Sequence, residues 1–237
     1  PFCYALGALF TNDYESWLKK ARTATVLAWT VLGSGIFLGG FWAYETLGWG
    51  GYWGWDPVEN ASLVPWLIAT IILHFQFGAH KNKGFFKPMI AASIFGYIFV
   101  VYGSFLTRSG VLGDFSVHSF SGGDIGLLLG GVVALLTMLG FFVLAFKWQD
   151  IPAGEIYDGV SNPNFLLVAA MLVIVVMAII VTFGMSLPFI SGITGKGTAV
   201  QGAFYNKTMG PLFVVLLVML FAYYIRRKGD RKSTRLN

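Results

Sequence analysis

The chain has 237 residues, of which 56% are apolar and only 11% charged, with a net charge of +5. A soluble domain carries about 25% charged residues, so this composition excludes an ordinary globular protein and assigns the chain to a membrane. The single cysteine, Cys3, excludes an internal disulfide framework and a cysteine-based metal cluster, and the small excess of Lys and Arg reads as topology rather than nucleic-acid binding.

Residues 1–10 are apolar but too short to cross a bilayer, which takes about 20 residues, and they carry no secretory signal pattern. They read as the tail of a helix that starts further upstream, which makes the chain an internal piece of a longer protein. Residues 12–22 are a polar loop with Lys19, Lys20 and Arg22. The first complete span is 24–44, where Gly33, Gly35, Gly39 and Gly40 offer a small-residue face for close helix contact. An aromatic loop over 45–60 leads to the second span, 61–79, whose Pro65 lies near its start. A short basic loop with Lys81, Lys83 and Lys87 precedes the third span, 88–106. A second unusual loop, 107–124, precedes the fourth span, 125–146. The fifth and sixth spans are 165–187 and 209–225, separated by a Gly/Ser/Thr loop over 188–208, and a basic tail closes the chain. The fold class is therefore all-α: a polytopic transmembrane helix bundle of about six spans plus a truncated N-terminal helix, in one membrane domain over 1–237.

Spans alternate in direction, so the loops fall into two sets. Of the 16 Lys and Arg residues, only Arg108, Lys196 and Lys207 fall in the set that holds the aromatic loop and the 107–124 loop. Basic loops stay in the cytoplasm, so these two loops share the outer face.

The aromatic loop runs Trp49-Gly50-Gly51-Tyr52-Trp53-Gly54-Trp55-Asp56-Pro57-Val58-Glu59-Asn60. An aromatic belt at the bilayer interface would explain rings, but not the ordered glycines or the Asp-Pro-x-Glu that follows. Glycine lets a flat partner approach the backbone closely. Asp56 and Glu59 have the spacing of a capping box, with Pro57 in the first helical turn. That structural role suits them better than acid/base catalysis.

Three histidines carry the remaining chemistry. His74 lies inside the second span, roughly 20 Å from its outer end at 1.5 Å per residue. At that depth it is either an iron ligand or a histidine bonded to a Ser or Thr of a neighbouring helix. His118, flanked by Phe115 and Phe120 and sharing its loop with Arg108, is either an exposed loop residue or a ligand. His80 beside Lys81 is an interface residue. A bare zinc or copper site needs several clustered ligands, and the outer face offers one histidine and no cysteine. Haem brings four nitrogens of its own and needs only axial ligands; its flat ring suits Trp and Tyr, and its propionates suit Arg108.

The aromatic loop resembles the tryptophan-rich WWD motif of haem-handling proteins. With its Asp-Pro-Val-Glu-Asn-Ala continuation, and with Phe105-Leu106-Thr107-Arg108-Ser109-Gly110-Val111 and Val117-His118-Ser119-Phe120, the chain is similar to the CcmF/NrfE family of cytochrome c maturation proteins. The resemblance covers essentially the whole chain. It implies the haem lyase of system I, which attaches haem vinyl groups to apocytochrome c thiols outside the bacterial cytoplasmic (inner) membrane, with a CcmH-type subunit and the haem chaperone CcmE as partners. It also implies roles for residues: Trp49, Gly50, Gly51, Tyr52, Trp53, Trp55 and Asp56 as the surface for a transient substrate haem, Arg108 beside it, and His118 as its axial ligand. His74 matches a ligand of a resident b-type haem, which reduces the incoming one with quinol as the implied electron source. Tyr52 stands where the family often has Trp, which keeps a ring. Each haem needs a second histidine, and the family supplies one before and one after this segment, so this chain holds half of each pair. Rival readings are a CcmC-type haem exporter or loader, a transporter or quinone-binding membrane subunit, and a structural scaffold; the Asp-Pro-Val-Glu-Asn continuation and the number of spans favour the lyase.

Overall fold

The computed structural model describes residues 1–46, 51–116, 118–120, 124–193, 195 and 197–233, with the side chains of Pro163 and 227–233 left aside. Seven α-helices follow one another: α1 (Phe2–Thr11), α2 (Tyr14–Thr46), α3 (Pro57–Ala79), α4 (Phe86–Arg108), α5 (Ile125–Lys147), α6 (Pro163–Ile193) and α7 (Gly202–Ser233). No strand occurs among the described residues. Six helices are long and apolar enough to span a bilayer, whereas Phe2–Thr11 is not. The all-α multi-span architecture is thus the observed one.

The helices run past the apolar windows that predicted them. Residues 14–22, expected as loop, form the first turns of α2, because Glu15, Lys19 and Lys20 are good helix formers outside the bilayer. Lys83 belongs to a one-turn 3-10 helix, Lys83–Phe85, and Lys87 to α4. Helix α6 continues through Pro188 to Ile193, and α7 begins at Gly202 and takes in the basic tail as far as Ser233, so the loop expected over 188–208 shrinks to the residues between them. Likewise Glu45 and Thr46 close α2, Pro57 to Asn60 open α3, and Thr107 and Arg108 end α4, which shortens both outer loops at their edges.

Helix α3 is the hub. It packs against α2, α4 and α6, while α5 packs on α4, α7 on α6, and α1 on α2 and α4. Half of its apolar window (50%) is buried, against 6% for α7. Lipid tails are as apolar as leucine, so in a bilayer such packing rests on close contact and hydrogen bonds rather than on water exclusion. Gly103 shows the first: a Cβ there would sit 3.1 Å from the Ala61 carbonyl oxygen. That carbonyl lacks its usual i+4 partner, because Pro65 has no N–H. Hydrogen bonds supply the second. Gln76 Nε2 donates to Thr25 Oγ1 at 3.1 Å, joining α3 to α2, and Tyr102 Oη donates to Ser186 Oγ at 2.6 Å, joining α4 to α6. Each such bond contributes about 0.6 kcal/mol in a membrane.

At the end carrying most of the basic residues, Arg22 lies over the Phe77 ring at 4.5 Å and Lys87 over Trp148 at 5.0 Å. Asn82 Nδ2 donates to the Glu155 and Ile156 carbonyls at 2.8 and 3.2 Å, and Arg226 Nη1 to the Val160 carbonyl at 2.8 Å. The connection between α5 and α6 is therefore pinned to its neighbours. At the opposite end lie the aromatic loop, the 109–120 segment and the start of α7.

Candidate functional site

The start of α3 is built as its sequence suggests. Asp56 is the N-cap and Pro57 follows it; the Asp56 Oδ1 accepts from the Val58 N–H at 2.8 Å. Glu59 Oε2 reaches back to accept from the Asp56 N–H at 3.1 Å and the Gly54 N–H at 3.0 Å, completing the capping box. Two otherwise orphaned donors of the loop are thus satisfied by one carboxylate.

The loop before this cap is fixed by its rings. Trp55 has a left-handed backbone, φ 58°, unusual for a bulky residue. Three contacts hold it: the buried Asn60 donates Nδ2–H to its carbonyl at 3.1 Å, Tyr205 stacks on its ring at 4.9 Å and 12°, and its Nε1–H donates to Asn206 Oδ1 at 2.7 Å. Trp53 stands edge-on to Trp55, with centroids 6.1 Å apart. Tyr52 stacks on Tyr44 at 4.5 Å, and its carbonyl lies over Gly40, where a Cβ would come within 2.7 Å of it. Trp49 and Gly50, the other two candidates of this loop, lie outside the described residues.

The second loop folds onto this cap. Phe120 N–H donates to the Thr107 carbonyl at 3.1 Å and closes the loop base. Ser116 Oγ donates to Asp56 Oδ1 at 2.7 Å and accepts from the His118 N–H at 3.0 Å. The His118 Nδ1 lies 3.7 Å from the same Asp56 oxygen, with side chains 24% and 8% exposed. Trp42, near the end of α2, packs its ring 5.9 Å from the imidazole.

Two clefts meet at His118. One, about 340 Å³, runs between α3 and α4 and has Arg108 and Phe120 at its rim. The other, about 300 Å³, runs between α2 and α3 and is lined by Trp42, Trp53 and Glu59. Leu32, Val58 and Ser62 line both. Gly35 and Gly39 present bare backbone to the second cleft, and a Cβ on either would meet no atom within 4 Å. The structure thus brings His118, Arg108, Trp53 and Asp56 to one place. Tyr52 and Trp55 are engaged elsewhere by Tyr44 and Tyr205, although Tyr52 remains 57% exposed.

His74 is on the same helix but far from this cluster, roughly 25 Å along the axis from Pro57 at 1.5 Å per residue. Its Nδ1 lies 2.8 Å from the Thr70 carbonyl oxygen, which can only accept; Nδ1 therefore carries the proton and Nε2 the lone pair. The face of α3 above it holds Trp66 and Thr70. Trp29 stacks on Trp66 at 5.3 Å and donates Nε1–H to Thr70 Oγ1 at 2.8 Å. A cleft of about 490 Å³ opens at Trp29, Gly33, Phe37 and Trp66, but His74 does not line it.

These residues suit haem better than a bare ion. Among the described residues no three His, Cys, Asp or Glu side chains cluster to hold a metal. His118 instead lines an apolar cleft faced with indole and glycine, which suits a flat ligand carrying its own iron; His74 lines no such cleft among the described residues. Trp42, Asn60, Ser116, Tyr205 and Asn206 also meet here. Asn60 and Ser116 lie in the two loops singled out from sequence and Tyr205-Asn206 in the loop expected over 188–208, yet only the tertiary fold shows what they hold, and Trp42 carried no signal.

The model of the family described as cytochrome C assembly protein matches residues 7–112. The chain is 33% identical, over 92% of its length, to the cytochrome c-type biogenesis protein CycK of Rhizobium meliloti, and 33% identical over 97% to CcmF of Pseudomonas fluorescens. It is 34% identical over 91% to the probable cytochrome c-type biogenesis protein NrfE of Escherichia coli. The chain spans 32%, 34% and 39% of these relatives' own lengths. The solved structure of a cytochrome c heme lyase CcmF superposes with a TM-score of 0.72 at 28% identity, over 92% of this chain and 32% of that one. With the aromatic loop and its histidine-bearing neighbour, these matches make the chain similar along nearly its whole length to one segment of the CcmF/NrfE cytochrome c-type biogenesis proteins, and its six long apolar helices make it a multi-pass membrane protein.

Proposed function

We propose that this chain is the haem-handling segment of a system I cytochrome c haem lyase, acting at the outer face of the bacterial cytoplasmic membrane. One observation carries the reading: His118 stands where two clefts meet, with a cation at one rim and indole rings at the other. A transient substrate haem suits this setting: His118 would hold its iron, Arg108 would meet its propionates, and Trp42 and Trp53 would cover its ring. When bound, haem supplies the vinyl groups and the iron; thioether formation with apocytochrome thiols belongs largely to that chemistry. The protein's residues hold, orient and shield. Asp56, Glu59 and Ser116 fix the two loops against each other, and Tyr205 with Asn206 fixes Trp55. His74, whose Nδ1 is held by the Thr70 carbonyl, would hold a resident b-type haem through Nε2; that group would supply electron transfer, with quinol as the proposed donor. The partners are CcmE as haem donor, a CcmH-type subunit and apocytochrome c, and the second histidine of each haem comes from outside residues 1–237.

The test is His118→Ala in the full-length protein, with holocytochrome c yield as readout. We expect the yield to collapse while the protein still inserts into the membrane; normal yield would remove His118 from the reaction.

A further inference from the structure

A ligating histidine works well only when its other ring nitrogen is held, because that contact sets the tautomer, the ring orientation and the basicity of the ligand. In this structure the holding groups of His118 come from two separate segments. Ser116, two residues earlier, accepts from the His118 backbone N–H at 3.0 Å, a short turn typical of serine. The same hydroxyl donates its own hydrogen bond to Asp56 Oδ1 at 2.7 Å. That oxygen is anchored by the Val58 N–H at 2.8 Å and faces His118 Nδ1 at 3.7 Å. The backbone of His118 is therefore tied through Ser116 to one carboxylate oxygen at the first turn of α3, and its ring faces that same oxygen without bonding it. Trp42 limits ring rotation from the α2 side.

We infer that Asp56 and Ser116 form a positioning relay for His118, turning Nδ1–H toward the carboxylate so that Nε2 is the nitrogen offered to iron. The inference rests on the haem reading given above. A carboxylate only accepts, so a ring nitrogen that closes onto Asp56 must carry the proton. The Asp56–Nδ1 separation is longer than a hydrogen bond, and a movement of under 1 Å closes it. Asp56 thus has two duties on one oxygen: it caps α3, and it ties the ligand loop to that cap. Ser116 joins the two without touching the ligand.

The duties separate experimentally. Asparagine caps helices about as well as aspartate, so Asp56→Asn keeps α3 capped while removing the charge. The full-length protein in detergent is titrated with haem, and uptake and midpoint potential of the added haem are read together with the thermal midpoint. Asp56→Asn is expected to weaken uptake about 10- to 100-fold, to move the potential positive because a less basic ligand favours ferric iron less, and to leave the thermal midpoint in place. Ser116→Ala is expected to shift uptake and potential in the same directions, with Ser116→Thr restoring both. If Asp56→Asn and Ser116→Ala bind added haem with wild-type affinity and potential while His118→Ala does not bind it, the relay is refuted and the haem reading stands. If His118→Ala itself takes up haem normally, the haem reading falls first, and the relay with it. A shift in thermal midpoint with unchanged potential would reduce Asp56 to a cap and also refute the relay.

Discussion

Replacing Asn206 by alanine isolates the tether between the aromatic loop and α7. In the native chain Trp55 Nε1–H donates to Asn206 Oδ1 across 151 positions of sequence. The loop needs the help. A bulky residue in the left-handed region costs about 1–2 kcal/mol. Against this stand the Tyr205 stack, worth about 0.5–1.5 kcal/mol, the Asn60 bond to the Trp55 carbonyl, and the Asn206 bond. The last is solvent-exposed, which places it in the lower half of the usual range, about 0.5–1 kcal/mol. Its removal should therefore raise the open fraction of the loop about 2- to 5-fold. Hydrogen exchange reads this directly. The Gly54 and Asp56 N–H groups are bonded to Glu59 only while the loop is closed, so a peptide covering 51–56 should exchange faster by that factor. Trp55→Phe keeps a ring and loses the donor, so Asn206→Ala should add nothing in that background. Unchanged exchange in the single variant, or an equal increase in the Trp55→Phe background, would refute the tether.

Glu59→Ala removes both loop-to-helix bonds and should lower stability in detergent denaturation by about 1–2 kcal/mol, with Glu59→Gln recovering most of it because an amide oxygen still accepts. Gly39→Leu enters space with no atom within 4 Å of its Cβ, so unfolding should be unaffected while haem uptake falls; uptake equal to wild type would remove the α2–α3 cleft from the binding surface. Gly103→Leu has no such room beside Ala61 and should cost about 1–3 kcal/mol by forcing α3 and α4 apart, seen as a lower thermal midpoint. With Cys3 replaced by Ser, a single cysteine at position 52 should react with an impermeant maleimide from the periplasmic side and one at position 158 should not; the opposite pattern would invert the proposed orientation.

Much of this was legible in the residues because the membrane makes the code simple. Long apolar runs gave six spans, and loop charge put the two unusual loops on one face, where Ser116 and Asp56 now meet. The Asp-Pro-x-Glu spacing gave the cap of α3 because capping is a local interaction. Helix ends were less legible: apolarity marks where lipid begins, not where hydrogen bonding stops, and Lys19, Lys20 and the basic tail stay helical in water. The loop rings were read as one platform, yet Tyr52 pairs with Tyr44 and Trp55 with Tyr205, choices made by helices that converge only in the fold. The left-handed turn at Trp55 was not legible, since two of the three residues that hold it, Tyr205 and Asn206, are remote and the third, Asn60, shows its role only in the fold.

Pro65 falls between the two proposed ligand levels of α3. Above it lie the capped turns that carry Val58, Glu59 and Ser62; below it lie Trp66, Thr70 and His74. The missing rung there makes this the most compliant point of an otherwise stiff rod. A bend there would tilt the upper segment while leaving the deeper imidazole in register, so substitutions on one storey should leave the other unchanged.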